Sequence, residues 1–108
     1  MKNPNWTKDE LILALELYFR DETARGNKTH PEVVKLSRIL NSLPIHSGGA
    51  QETSFRNPTG VAMKLSNFLR FDSTYKGKGL DRGNKMEEVV WDMYSSNINA
   101  LTKVKNAI

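Results

Sequence analysis

The chain has 108 residues, of which 38% are hydrophobic and 26% charged, the composition of one ordinary globular domain rather than of a disordered segment. It has no cysteine, which excludes disulfides, thiolate nucleophiles and cysteine-ligated zinc. The net charge of +4 is unevenly placed. Between Thr53 and Lys85, seven cations (Arg56, Lys64, Arg70, Lys76, Lys78, Arg82 and Lys85) are opposed only by Asp72 and Asp81, a net of +5. A clustered basic excess is the electrostatic footprint of a polyanion binder; a solvated lysine-rich surface is the bland alternative.

No apolar run approaches the ~18 residues needed to cross a bilayer. The opening Met1-Lys2-Asn3-Pro4-Asn5-Trp6 lacks the hydrophobic core of a secretory signal, so a cytoplasmic location with no membrane partner is expected. The two histidines, His30 and His46, are flanked by loop-type residues and make a poor metal site. No metal and no cofactor are expected.

The pattern predicts an all-α, compact four-helix domain with helices near 7–20, 30–43, 57–71 and 84–95. Thr7 and Glu10 read as a capping box, each side chain satisfying a free backbone N–H of the other. The run Leu11-Ile12-Leu13-Ala14-Leu15-Glu16-Leu17-Tyr18-Phe19 is apolar around most of its girth, which marks the central helix. Residues 20–28 read as a loop punctuated by Gly26-Asn27. The second helix opens at Thr29-His30-Pro31-Glu32, where proline suits a first turn. Its stripe is Val33, Leu36, Ile39, Leu40 and Leu43, with Ser37 facing away, and Pro44 ends it.

A long connection over 45–55 leads to Asn57-Pro58, an N-cap and first-turn proline. The fourth helix starts near Asn84 and is expected to bury Met86, Val89, Val90 and Met93. Ile98, Leu101, Val104 and Ile108 keep helical spacing, so 96–108 is either an extra helix or a connector beyond a domain spanning 1–95. The expected core is Leu11, Leu15, Tyr18, Leu36, Ile39, Leu40, Val61, Leu65 and Phe68.

Function points to the third helix. At 100° per residue, Val61, Ala62, Leu65, Phe68 and Leu69 share the core face, while Met63, Ser66, Asn67 and Arg70 share the other with Lys64 on its flank. Asn can bond an adenine edge, Arg and Lys reach guanine or phosphate, and Met touches a thymine methyl; an ordinary solvated face is the alternative. At the helix entrance, Arg56, the capping Asn57 and free N–H groups favour an anion. Gly60 serves close backbone approach or tight helix packing. The loop Lys76-Gly77-Lys78-Gly79 lacks Walker A spacing and reads as a phosphate-contacting or simply solvated loop, with Arg82 following. The expected DNA-binding residues are therefore Arg56, Asn57, Lys64, Asn67, Arg70, Lys76, Lys78 and Arg82. Asn67 has a second reading, as a brace for the neighbouring loop.

No catalytic residue is expected. Two isolated histidines do not build an HNH site, and the acidic pairs Asp9-Glu10 and Glu87-Glu88 lie where helix N-termini favour negative charge. Trp91 and Tyr94 are read as packed aromatics rather than base-stacking platforms.

Two resemblances follow from these residues. Trp6-Thr7-Lys8-Asp9-Glu10-Leu11 and the stretch from Arg56 through Val61, Lys64, Leu65 and Asn67 to Phe68 resemble the first and third helices of Myb/SANT-type domains. That resemblance implies a tri-helical helix-turn-helix core whose third helix reads DNA. Leu65 stands where that family has tryptophan, and the connection between the second and third helices is longer. Across most of the chain, Asn5 to Leu11, Leu43-Pro44-Ile45-His46, Phe55 to Val61 and Tyr75 to Leu80 resemble the N-terminal head domain of ScoMcrA-like HNH restriction endonucleases. This second resemblance implies a non-catalytic, DNA-associated accessory domain of a bacterial nuclease that cuts modified DNA. The implied partners are double-stranded DNA and a fused or partner nuclease domain. The rival expectation is a protein-interaction module, standalone regulator or anti-restriction protein docking through its C-terminal helix.

Overall fold

The computed structural model describes residues 5–43, 55–72 and 85–108. Among them the fold is all-helical: α1 (Lys8–Arg20), α2 (Pro31–Ser42), α3 (Pro58–Asn67), α4 (Lys85–Tyr94) and α5 (Ile98–Ala107). Two short 3-10 segments join them, Glu22–Ala24 after α1 and Phe68–Phe71 after α3.

The centre is α1, because its sequence leaves it no polar face wide enough for water. Every residue from Glu10 to Tyr18 is buried, and the other four helices pack around it. Its start is the expected capping box: Thr7 Oγ1 accepts from the Glu10 N–H at 3.3 Å, and Glu10 Oε1 accepts from the Thr7 N–H at 2.9 Å. Each fully buried leucine here contributes about 1.5–3 kcal/mol of transfer free energy.

The segment after α1 is more ordered than a plain loop. Asp21 accepts from the Thr23 N–H at 3.0 Å, Ala24 is fully buried, and Gly26 adopts φ +69°. The Gly26 N–H donates to the Ala62 carbonyl at 3.3 Å, so the turn closes onto α3. The backbone angle favours glycine, and a Cβ there would fall 3.0 Å from Ser66 Oγ, close enough that the serine side chain would have to shift. His30 then caps α2, its Nδ1 accepting from the Glu32 N–H at 3.0 Å. His46 lies outside the described residues.

Two stripes are rotated relative to the sequence reading. In α2 the inward residues are Val33, Leu36, Ser37 and Leu40, whereas Ile39, expected in the core, is 37% exposed. Ser37 is drawn inward because its hydroxyl donates to the Arg56 carbonyl at 2.7 Å. In α4 the inward residues are Glu87 and Val90, with Trp91 and Tyr94 half-buried. Met86, Val89 and Met93, expected inside, are exposed. Trp91 joins an aromatic cluster, its ring 5.7 Å from Tyr18, 5.3 Å from Phe19 and 5.9 Å from Phe71.

The tail is a helix and belongs to the same core. Asn97 caps α5, accepting from the Ala100 N–H at 3.1 Å, and α5 lies along α1 with Leu101 fully buried.

Candidate nucleic-acid interface

The structure divides the expected DNA-binding residues into three groups. Arg56 and Asn57 sit just before α3, Lys64 and Asn67 on it and Arg70 in the 3-10 segment that follows, these three on the side toward α4, and Lys76, Lys78 and Arg82 lie outside the described residues.

Asn57 does the work of a cap. Its side chain accepts from the Gly60 N–H at 2.8 Å, and a Cβ on Gly60 would lie 3.2 Å from that same oxygen. The expected anion site at this entrance is altered by Arg56, which points inward. Arg56 is 4% exposed, and its Nε and Nη2 donate to the two carboxylate oxygens of Glu10 at 2.7 and 3.1 Å. Nη2 also donates to the Asn5 carbonyl at 3.2 Å. The guanidinium carbon lies 4.9 Å from the Trp6 ring centroid and 4.4 Å from that of Phe55. A guanidinium with a buried bidentate carboxylate, a carbonyl and two rings around it has the surroundings of an internal strut, whereas the sequence reading expected it at a phosphate. Its φ of +46° is unusual for a residue with a Cβ and turns the chain sharply into α3.

Lys64, Asn67 and Arg70 converge, as their shared helix face predicts, but on a protein group. Lys64 Nζ lies 3.1 Å from Glu87 Oε2 and Arg70 Nη1 3.2 Å from Glu87 Oε1. The Asn67 amide nitrogen is 3.4 Å from Oε2. Glu87 is fully buried, while the Lys64 and Arg70 side chains keep 15% and 14% exposure. Asn67 Oδ1 is buried without a hydrogen-bond partner among the described residues. Lys64 Nζ also stands 5.4 Å from the Trp6 ring.

The outward edge of α3 is different chemistry. Met63 is 60% exposed and Thr59 is exposed beside it. They border an open groove of about 550 Å³ whose other wall is Asn27, Lys28 and Thr29, with Ser66 at its end.

Sequence reasoning missed a second polar node. The Tyr18 hydroxyl donates to Asp72 Oδ2 at 2.6 Å, and the Arg25 guanidinium carbon lies 3.6 Å from the Tyr18 ring centroid. Burial, followed by the bond to Asp72, pushes the Tyr18 phenol well above its ordinary pKa. No periodic signal announces such a node, since its members are 54 residues apart. Among the described residues no three His, Asp or Glu side chains gather as a metal site would require. Comparison with protein-family models, with curated proteins and with solved structures finds no match for this chain.

Proposed function

We propose that this chain is a non-catalytic, double-stranded-DNA-associated helical module, of the kind that accompanies an HNH restriction nuclease. The mutual packing of α1, α2 and α3 supports a tri-helical, helix-turn-helix-like core with α4 and α5 added around α1.

The observation that carries the reading is how the basic stretch is divided. Arg56, Lys64 and Arg70 have internal carboxylate partners. The remaining cations, Lys76, Lys78, Arg82 and Lys85, fall within ten positions opposed only by Asp81, a net of +3. Lys85 is exposed at the first residue of α4, where the macrodipole disfavours a cation and an approaching phosphate offsets the penalty. Phosphate contacts are thus assigned to 76–85.

With about three or four phosphates neutralised, log K for duplex DNA falls with log salt at a slope of about −3 to −4. Fluorescence anisotropy across a salt series tests this. Lys76→Ala and Lys78→Ala are each expected to weaken all sequences alike and flatten the slope by about one unit. A Lys76→Glu, Lys78→Glu double variant that stays folded and binds as wild type does sinks the assignment.

The interaction-module reading has one observation in its favour, the exposed stripe Met86, Val89 and Met93 on α4. Docking through α5 has less support, since Leu101 is already buried against α1. Size-exclusion chromatography separates the two: concentration-dependent association without DNA affinity favours the interaction module.

A further inference from the structure

Ile39, Val89 and Met93 stand at core spacing in the sequence and reach solvent in the fold. Ile39 on α2 is 37% exposed, and Val89 and Met93 on α4 are 40% and 46% exposed. A singly exposed apolar residue is ordinary, so its meaning comes from what surrounds it. Here the two surroundings are opposite in charge. Ile39 borders a cleft of about 110 Å³ between α1, α2 and α5, floored by leucines of α1 and α2. The rim carries Arg20, Lys35 and Lys105 with Glu16 and Glu32. Both carboxylates are already engaged. Arg20 Nε donates to Glu16 Oε2 at 2.9 Å and its Nη1 to Glu32 Oε1 at 2.6 Å, while Lys105 Nζ lies 3.9 Å from Glu16 Oε1. Lys35 is exposed one turn before Ile39, and Arg38 is exposed next to it. The cleft is thus an apolar floor in a basic frame.

The α4 surface is the converse. Val89 and Met93 are four apart and share one face of the helix. Glu88 and Asp92, each one position earlier, are exposed and flank that face. Lys85 stands on the same flank a turn before Glu88, so the acidic frame belongs to the second half of α4. Asp92 lies near the C-terminal end of α4, where the macrodipole disfavours an acid and an external cation offsets the penalty.

We propose that the second half of α4 docks into the α1–α2–α5 cleft of a second copy of this chain. Val89 and Met93 meet Ile39 and the leucine floor, and Glu88 and Asp92 meet Lys35, Arg38 and Lys105. Charge complementarity selects this occupant: the chain itself carries an apolar pair framed by acids and an apolar cleft framed by cations. A nucleic acid would satisfy the cations but leave Ile39 and the floor without an apolar partner. The two faces are different patches, so the association runs head-to-tail, closing into rings or extending as chains. One helix half against one cleft is a small contact, so the association is weak and concentration-dependent. It needs no DNA and stands apart from the DNA reading above.

Sedimentation velocity over a concentration series, without nucleic acid, tests it. The wild-type chain is expected to gain mass with concentration and to lose that gain as salt rises. A stripe variant, Val89→Ser with Met93→Ser, and a cleft variant, Lys35→Glu with Ile39→Ser, alter exposed positions, and circular dichroism confirms their fold. Each by itself is expected to associate about tenfold more weakly. Their equimolar mixture is expected to regain pairing but to stop at two chains, because one intact stripe and one intact cleft remain. A cleft variant that associates as wild type does points to stripe-to-stripe pairing and overturns the proposal. A mixture that fails to pair, or a wild-type chain that is monomeric throughout, also overturns it. Should a variant fail to fold, amide NMR of the wild-type chain on dilution replaces it. Shifts at both Lys35–Ile39 and Glu88–Met93 are expected, and shifts confined to one face refute the docking.

Discussion

Removing the Arg56 side chain separates an internal strut from a phosphate contact more sharply than any other single change. Arg56→Ala leaves Glu10, 1% exposed, without the cation that pairs with both of its oxygens. Stranding one member of a buried ion pair costs about 3–5 kcal/mol. That is a large share of the ~5–15 kcal/mol by which a domain of this size is stable. At about 4–8 °C per kcal/mol, Tm is expected to fall by at least ~12 °C. The backbone supplies an internal check. At φ +46° a residue with a Cβ is strained by about 1–2 kcal/mol, which glycine does not feel. Arg56→Gly should therefore be about 1 kcal/mol more stable than Arg56→Ala despite losing the same side chain.

Urea denaturation followed by tryptophan fluorescence and by circular dichroism measures both variants, and Trp6 beside the guanidinium makes the fluorescence sensitive to this site. A double variant, Glu10→Gln with Arg56→Met, leaves no stranded charge and should lie well above the sum of the two single losses. If Arg56→Ala stays within about 0.5 kcal/mol of wild type and instead flattens the salt dependence of DNA binding by one unit, the strut reasoning is wrong and Arg56 faces phosphate after all.

Three further outcomes follow from the packing. Leu101→Ala, by opening a cavity between α5 and α1, is expected to lower stability by about 2–5 kcal/mol in urea melts; a loss under 1 kcal/mol means α5 is only loosely attached. Thr7→Ala removes one half of the α1 capping box and is expected to reduce stability by about 0.5–2 kcal/mol, with the loss visible in amide exchange of the first turn. The Tyr18 phenol is raised above its ordinary value of 10.0, so its contribution is fully present below that pH and is lost as pH climbs through the folded-state pKa. Alkaline titration of absorbance at 295 nm should accordingly show one phenol lagging until the fold opens, and Tyr18→Phe should abolish the lag.

Much of the scaffold was legible because it is written in local chemistry. The Thr7–Glu10 box, the Asn57 cap and the prolines at 31 and 58 set the starts of α1, α2 and α3 within a residue of those observed, while the third helix, expected to run to 71, ends at Asn67 and continues as a 3-10 segment. What failed is the facing of individual side chains, and for one reason. Periodicity ranks residues by hydrophobicity, so it places Ile39 inside and Ser37 outside, and Met86, Val89 and Met93 inside with Glu87 outside. The fold reverses these wherever a polar side chain finds a distant partner that pays for its burial: Ser37 the Arg56 carbonyl, 19 residues away, and Glu87 the cations Lys64 and Arg70, 23 and 17 residues away. The one available signal was a carboxylate embedded among Met86, Val89 and Val90 in a chain with a nearby cation excess.

The same long-range pairings change what the basic stretch means. As a sequence, 53–85 is a single run of cations of equal standing. In the fold it contains two populations with different duties. Arg56 closes the N-terminal segment onto α3 through Glu10 and Trp6. Lys64 and Arg70 fasten α4 to α3 through Glu87. Both carboxylates come from other helices, Glu10 from α1 and Glu87 from α4, so the described cations in and beside α3 act as joints of the helical assembly. The two carboxylates differ in how their cations are enclosed. At Glu10 the arginine is enclosed by two rings and a carbonyl. At Glu87 the Lys64 and Arg70 side chains keep 15% and 14% exposure. A basic stretch that reads in the sequence as one surface is thus, among its described members, divided by depth: Arg56 is enclosed, while Lys64 and Arg70 are partly exposed.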